Sequence, residues 1–422
     1  MKFSSFLNYS IIALRGSWRR VPLPARKFFW RFTGQLPRNI ISKILIGKPH
    51  VISPADRVNA PLVVAGLFST ANGIGEACRA TYSALSDAGL EPIAVDLSDK
   101  LASVDLQPQI SLSPMPRSKT GTLILQLNAP ETLSALQNLK IYRERQWHII
   151  GYWAWELPIF PIGWEKAFPF LTEIWTISKF SSKAIEQHNK VIDVKVFHHC
   201  IRVPDKKRLS TISGLTGKFK FSFLVMCDAL SSLERKNPFA AIKAFKLAFS
   251  EKSNIGLILK VRNMEFHEKA RGALLELISG VQNIILIEDT LSDEEKWNLL
   301  NTIDCYVSLH RAEGFGLTLA ECMALGKPVI ATKWSGNMDF MNSYNSYLLE
   351  PEFISCEDPY MVYSNRKTMW ADICIKQAML AMQRVVSDVK MRESISKKAK
   401  SDIARQLSPE KIGLDIKNYL YI

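Results

Sequence analysis

Two runs of short, β-branched, almost continuously apolar segments, each alternating with helical patterns, constrain this chain more than any other feature. The first run reads PLVVAGLF (61–68), EPIAVDL (91–97), LILQLN (123–128), HIIGYW (148–153), EIWTIS (173–178) and KVFHHCI (195–201). Helical periodicity falls between them, at about 74–89, 131–145 and 180–189. Residues 202–218 are polar and carry Pro and Gly, and read as a linker. The second run reads FSFLVMCD (221–228), IGLILKV (255–261), IILIED (284–289), CYVSLH (305–310) and PVIAT (328–332). Its helical patterns lie near 238–250, 265–279, 292–302 and 317–325, and the last fifty residues read as helical. Apolar runs without alternation belong to parallel strands buried on both faces. Two such arrays in tandem predict an α/β chain of two Rossmann-like domains facing a cleft. The length of 422 residues suits this, at roughly 100–200 per domain.

Composition excludes several classes. Seven cysteines, an odd number without a CxxC pair, argue against a disulfide framework and a zinc ribbon, and favour a reduced, cytoplasmic setting. The adjacent His198 and His199 face opposite sides of a strand, so no metal site is expected. No apolar run reaches the roughly 18 residues of a membrane span, and the N-terminal apolar patch is short for a signal peptide. No G-x-S-x-G elbow supports a hydrolase. The net charge of +14 is uneven: residues 1–50 hold ten Lys or Arg and no Asp or Glu, leaving 44 basic and 40 acidic residues elsewhere. That segment also carries Phe3, Phe6, Trp18, Phe28, Phe29, Trp30 and Phe32. Basic and aromatic residues together suit an anionic bilayer surface at the inner membrane face; packing on the body is the alternative. No nucleic-acid motif accompanies the charge, so no nucleic-acid partner is expected. The expected organisation is a basic aromatic extension (1–50), a first Rossmann-like domain (51–205), a second (206–404), and a final helix (405–422).

The most informative stretch is SLHRAEGFGLTLAECMALGKPVIATKWSGNMDF, Ser308 to Phe340. A strand ends near His310, a Glu-Gly-Phe-Gly turn follows, and a helix begins at about Leu317. Gly326 is placed as its C-terminal cap. Gly314 and Gly316 allow close backbone approach to a ligand, and the helix start offers free N–H groups for a phosphate. Glu313 and Glu321 flank that seat, one for sugar hydroxyls and one for ribose hydroxyls.

EGFGL-x3-E, followed by GKPVIAT, resembles the signature of retaining glycosyltransferases of the GT-B fold in family 4, the group 1 transferases, and in particular a bacterial polysaccharide subgroup. The resemblance implies that Glu313 contacts the donor sugar and stabilises positive charge at its anomeric carbon. It implies that Gly314, Phe315, Gly316 and Leu317 line the sugar–phosphate site, and that Glu321 holds the ribose. It assigns the diphosphate to Arg235 and Lys236, although the family's Arg-x4-Lys-Gly spacing is altered: Ser231 stands five before Lys236, and Asn237 replaces Gly. Lys260 is a further basic candidate at the strand ends. Gly73 and Gly75, after the first strand, are similar to the family's first-domain glycine loop. GYWAWELPIFPIGW (151–164) resembles a segment of some members, making Glu156, Trp153 and Trp155 candidates for acceptor or sugar contact. The implied reaction moves a hexose, of mannose or glucose type, from a GDP- or UDP-sugar to a hydroxyl of a glycan or lipid-linked glycan. Configuration is retained, with no metal, no other cofactor and no protein nucleophile. A silent membrane scaffold of the same fold and a nucleotide-sugar epimerase are the alternatives.

Overall fold

The computed structural model describes residues 61–102, 104–141, 146–188, 192–249, 254–358, 363 and 368–420. The basic extension expected at 1–50 lies outside the described residues. Among those described, two six-stranded parallel sheets carry the fold, which is of the GT-B type.

The first sheet is built from β1 (Leu62–Gly66), β2 (Ile93–Asp96), β3 (Thr120–Gln126), β4 (Gln146–Trp153), β5 (Glu173–Thr176) and β6 (Asp193–Val196) in the order β2-β1-β3-β4-β5-β6. Every residue of β1 is buried, as its unbroken apolar run predicts. Three longer helices alternate with these strands, α1 (Gly73–Asp87), α2 (Ala129–Asn138) and α3 (Lys179–Glu186), with one helical turn at Ser98–Leu101 after β2. Asn72 caps α1, its side chain accepting from the Gly75 N–H at 2.9 Å. The pattern predicts a longer α2; it stops because Lys140, two residues on, takes a left-handed φ of 53°.

The second sheet contains β7 (Phe221–Asp228), β8 (Ile255–Arg262), β9 (Ile284–Ile287), β10 (Cys305–Ser308), β11 (Val329–Thr332) and β12 (Tyr347–Leu349), ordered β12-β11-β10-β7-β8-β9. Between its strands run α4 (Leu233–Lys236), α5 (Pro238–Ala248), α6 (Glu268–Ile278), α7 (Asp293–Thr302) and α8 (Leu317–Ala324). This is the doubly wound order, and its direction reverses between β7 and β10. The first sheet reverses between β1 and β3. Ligand crevices open at the carboxyl ends of strands flanking such reversals. The glycine loop after β1, the LERK turn after β7 and the EGFG turn after β10 all occupy those ends.

Two elements escape the sequence pattern. The sixth strand, β12, has only three residues, too few to show a period. An antiparallel hairpin of β13 (Glu352–Ser355) and β14 (Met369–Asp372) has an entirely exposed first strand, so burial leaves no mark on it. The linker is less free than its composition suggests. The Ser210 N–H donates to the Asn298 carboxamide at 2.8 Å, and the Ile212 N–H to the Thr302 hydroxyl at 2.9 Å. Leu209, Ile212 and Leu215 pack on the core.

The chain ends with α9 (Ile375–Ser387), α10 (Val389–Gln406) and α11 (Pro409–Leu420). The last lies on α1 of the first sheet. Gly413 sits so close that a Cβ there would meet the Ala84 carbonyl, and Lys417 donates to the Ala88 carbonyl at 2.8 Å. No helix among the described residues is long and apolar enough to cross a membrane. All seven cysteines are free.

Candidate active site

Glu313 follows β10 and is 8% exposed. One carboxylate oxygen accepts from the Lys236 ammonium, and the other lies 3.5 Å from the Arg235 guanidinium. Burial acts to raise this carboxyl, but Lys236 and Arg235 outweigh it and hold it at about 2, below the ordinary 4.5. Glu313 is therefore an anion at every pH near neutrality.

The short α4 delivers both cations. It is bounded by two left-handed residues, Ser232 (φ 69°) and Asn237 (φ 51°). Asn is the side chain that best tolerates that conformation after Gly, which accounts for Asn237 in the family's Gly position. The altered arginine spacing also has a geometric answer. Arg235 turns back, donating to the Ser231 carbonyl at 3.0 Å and the Ala312 carbonyl at 2.8 Å. Its guanidinium thus reaches Glu313 from the neighbouring position. Tyr363 lies against it, the guanidinium 5.8 Å from the ring centre.

The EGFG turn is held by residues that sequence reasoning did not single out. The Glu313 N–H donates to the Ser335 hydroxyl at 2.8 Å, and the Gly336 N–H to the Glu313 carbonyl at 2.9 Å. A Cβ on Gly336 would collide with the Gly314 carbonyl, so only glycine fits there. His310, fully buried, contacts the Ser308 hydroxyl at 3.0 Å and the Asn337 carboxamide at 3.2 Å. Burial keeps it neutral by pushing its pKa down. Gly316 has φ 93°, which favours glycine, and α8 starts at Leu317. The Phe315 side chain is buried against His199 and Phe340, leaving only its backbone for a ligand.

Glu321, on α8, is paired with Lys296 of α7 at 2.7 Å. Lys296 also reaches Glu76 of α1 at 3.7 Å, and Glu76 pairs with Arg79 at 2.9 Å. Burial raises Glu321 more than Lys296 lowers it. This chain of charges joins the first-sheet glycine loop to the second-sheet helices. Arg79 also ties that loop down, donating to the carbonyls of Phe68 and Thr70 at 2.9 and 3.0 Å. Gly75 is packed against Thr70 and the Leu67 carbonyl, where a Cβ would not fit, whereas Gly73 faces open space.

The tryptophan-rich segment divides. Trp153 is 0% exposed, stacked with Phe160 and Phe168, and Trp155 is buried with its indole N–H donating to the Ile159 carbonyl at 2.9 Å. Both rings are packed in the core rather than presented to a sugar, which departs from their reading as sugar contacts. Glu156 is placed differently. It lies close enough to Arg235, Glu313 and Lys236 to feel their charges, and burial pushes its carboxyl up. The carbonyl of Trp155 abuts Gly314, so this loop touches the EGFG turn directly. The hairpin missed by pattern closes the other side. Arg311 donates to Asp372 at 2.8 Å and lies over Trp370, which packs in the cluster holding Trp155 and Tyr363.

Lys260 stands apart from this group, on β8, buried. His198 and His199 do not act together: His198 pairs with Asp339 at 2.9 Å, while His199 is buried and held neutral, its pKa near 4. Among the described residues, no group of three or more His, Cys, Asp or Glu is arranged to hold a metal ion.

Residues 229–355, which contain Arg235, Lys236, Lys260, Glu313 and Glu321, match the family model "Glycosyl transferases group 1". No curated protein matches the sequence. Among solved structures, HepE from Anabaena in complex with UDP and glucose superposes with a TM-score of 0.60 at 12% identity, covering 85% of this chain and 98% of that one. A glycosyltransferase from Rickettsia africae ESF-5 gives 0.57 at 14% identity, again over 85% and 98%. Sucrose-phosphate synthase from Thermosynechococcus elongatus gives 0.57 at 13% identity, over the same shares.

Proposed function

We propose that this protein is a retaining, metal-independent glycosyltransferase that moves a hexose from a nucleotide sugar to a hydroxyl of a glycan or lipid-linked glycan. The observation that carries this reading is Glu313, an ionised carboxylate buried between Lys236 and Arg235 at the reversal point of the second sheet. A carboxyl with a pKa near 2 cannot serve as a proton donor at neutral pH. Its chemistry is electrostatic: it opposes positive charge developing at an anomeric carbon. Arg235 and Lys236 face the opposite demand, the negative charge that gathers on a departing diphosphate. Glu321 is assigned to the ribose, in exchange for its pair with Lys296. Glu156 is shifted the other way from Glu313. Two carboxyls driven apart in pKa suit two roles, and Glu156 is the one suited to accept a hydrogen bond from the acceptor hydroxyl.

The UDP and glucose held by HepE make a UDP-hexose the first donor to test. The full-length chain should bind at least one nucleotide sugar without added metal and release a product of unchanged anomeric configuration by NMR. Glu313→Gln should lower kcat at least about 100-fold while the fold and donor binding persist. An inverted product would refute retention. Binding without turnover in any acceptor screen would favour the scaffold, and sugar conversion without acceptor would favour an epimerase. Residues 1–50 are assigned to an anionic membrane surface; their removal should abolish co-sedimentation with phosphatidylglycerol vesicles, and unchanged binding would refute that assignment.

A further inference from the structure

Lys260 is 3% exposed, and its ammonium nitrogen is buried with no hydrogen-bond partner among the described residues. That is a costly arrangement, because a buried cation without a partner loses its hydration and gains nothing in return. Its surroundings make the placement specific. On β8, Leu257, Leu259 and Val261 face the core under α5 and α9, while Ile258 faces the opposite core under α7 and α8. Lys260 alternates with the first set, so it lies on the α8 side, the side that carries Glu321. Its register partners are Met226 in β7 and Ile287 in β9, both packed on that same side with Leu291.

The position relative to Glu313 narrows the ligand. The sheet runs β10-β7-β8-β9, and Glu313 follows β10. Lys260 is two strands away, roughly 10 Å at the usual strand spacing. In the donor-site reading above, with the diphosphate at Arg235 and Lys236 and the ribose at Glu321, the base is the part of a nucleoside diphosphate left to reach Lys260. The diphosphate is already assigned to Arg235 and Lys236, and the charges around Lys260 are mixed: Arg262 disfavours its cation, while Asp228 and Asp289 favour it. Asp228 itself is already engaged by Arg262 at 2.9 Å and Asn263 at 2.7 Å. An ammonium group only donates, so it requires an acceptor.

We propose that Lys260 reads the nucleobase, donating to the keto oxygen at C4 of uracil or thymine or at C6 of guanine, and so rejects cytosine and adenine. Those two bases carry an amino group at the same edge, which offers a second donor and leaves Lys260 buried and unpaired. This inference rests on the donor-site reading above and adds the class of base to it.

The test is calorimetric titration of the full-length chain with UDP, dTDP, GDP, CDP, ADP and inorganic pyrophosphate, comparing the wild type with Lys260→Met and Lys260→Gln. At least one keto nucleotide should bind the wild type about 30-fold or more tighter than CDP and ADP. Lys260→Met should weaken that nucleotide about 10–100-fold, the worth of a hydrogen bond from a charged donor. Pyrophosphate and CDP should stay within about twofold. Lys260→Gln, which keeps a donor, should restore part of the preference. Lys260→Met should also raise Tm by about 2–4 °C, since the orphan amine is gone, and that rise reports an intact fold. Equal loss of pyrophosphate and nucleotide binding would make Lys260 a phosphate ligand and overturn the inference. So would an unchanged keto preference in Lys260→Met. Tight binding of CDP or ADP by the wild type would overturn the base rule and leave the donor site standing; no binding of any nucleotide would overturn both.

Discussion

Lys236→Met is the perturbation that tests the electrostatic account of the site most directly, because its readout needs no knowledge of donor or acceptor. Methionine keeps the length of the stem and deletes the charge. In the native chain Lys236 is the leading attraction holding Glu313 at about 2 against an ordinary 4.5. That displacement is worth about 3 kcal/mol at about 1.4 kcal/mol per pH unit. Without Lys236 the carboxylate stays buried, with Arg235 3.5 Å away as its remaining close cation. Breaking one side of a buried pair costs about 3–5 kcal/mol, and the surviving arginine places this case at the low end, about 3 kcal/mol. Tm should fall by roughly 5–10 °C. Glu313→Gln should cost less, because Lys236 is partly exposed and can turn to solvent. In the double variant the losses should not add, with a coupling of about 2 kcal/mol.

The pH dependence follows from the sign of the shift. Glu313 is depressed in the folded state, so its contribution is complete above about pH 4.5 and is lost as pH falls toward 2. The stability gap between wild type and Glu313→Gln should therefore be constant from pH 7 to 5 and shrink below pH 4.5. Urea unfolding at a series of pH values measures both quantities. A Tm for Lys236→Met within 1 °C of wild type would refute the reasoning. So would a coupling under about 0.5 kcal/mol, or a gap that widens in acid.

Gly336→Ala should destabilise by about 1–3 kcal/mol and lower transfer sharply, since its Cβ meets the Gly314 carbonyl; Gly73→Ala, which meets no protein atom within 4 Å, should be neutral in thermal melts. Trp153→Ala should cost about 3–5 kcal/mol in urea unfolding, as a core tryptophan does, whereas a surface sugar contact would lose affinity with little change in stability.

Much of the fold was legible because parallel strands write themselves plainly. Burial on both faces leaves unbroken apolar runs, and β7 occupies the whole of the segment read for it, Phe221–Asp228. The turn and helix at Glu313–Leu325 were equally readable, since a left-handed Gly316 and a capping Gly326 are local requirements. Elements with no burial period were not: β12 is too short, and β13 is exposed on both faces. The aromatic segment misled for a related reason. Composition marks tryptophan as useful in a cleft or a core and does not say which, and packing against Phe160 and Phe168 decided it for Trp153.

The sequence by itself determined the two parallel sheets, the turn that presents Glu313, and the kinds of charge available to it, because these depend on local conformation and on periodicity over a few residues. The tertiary structure alone decided which charges meet. Arg235 reaches Glu313 only because Ser232 and Asn237 turn α4 back on itself, and both cations lie 77 residues or more from the carboxylate they hold. Glu76, Lys296 and Glu321 come from three helices on two sheets. Lys260 is an ordinary basic residue in the sequence and an orphaned buried cation in the fold. Coulomb interactions and desolvation depend on distance and burial, and neither is a property of a residue's place along the chain.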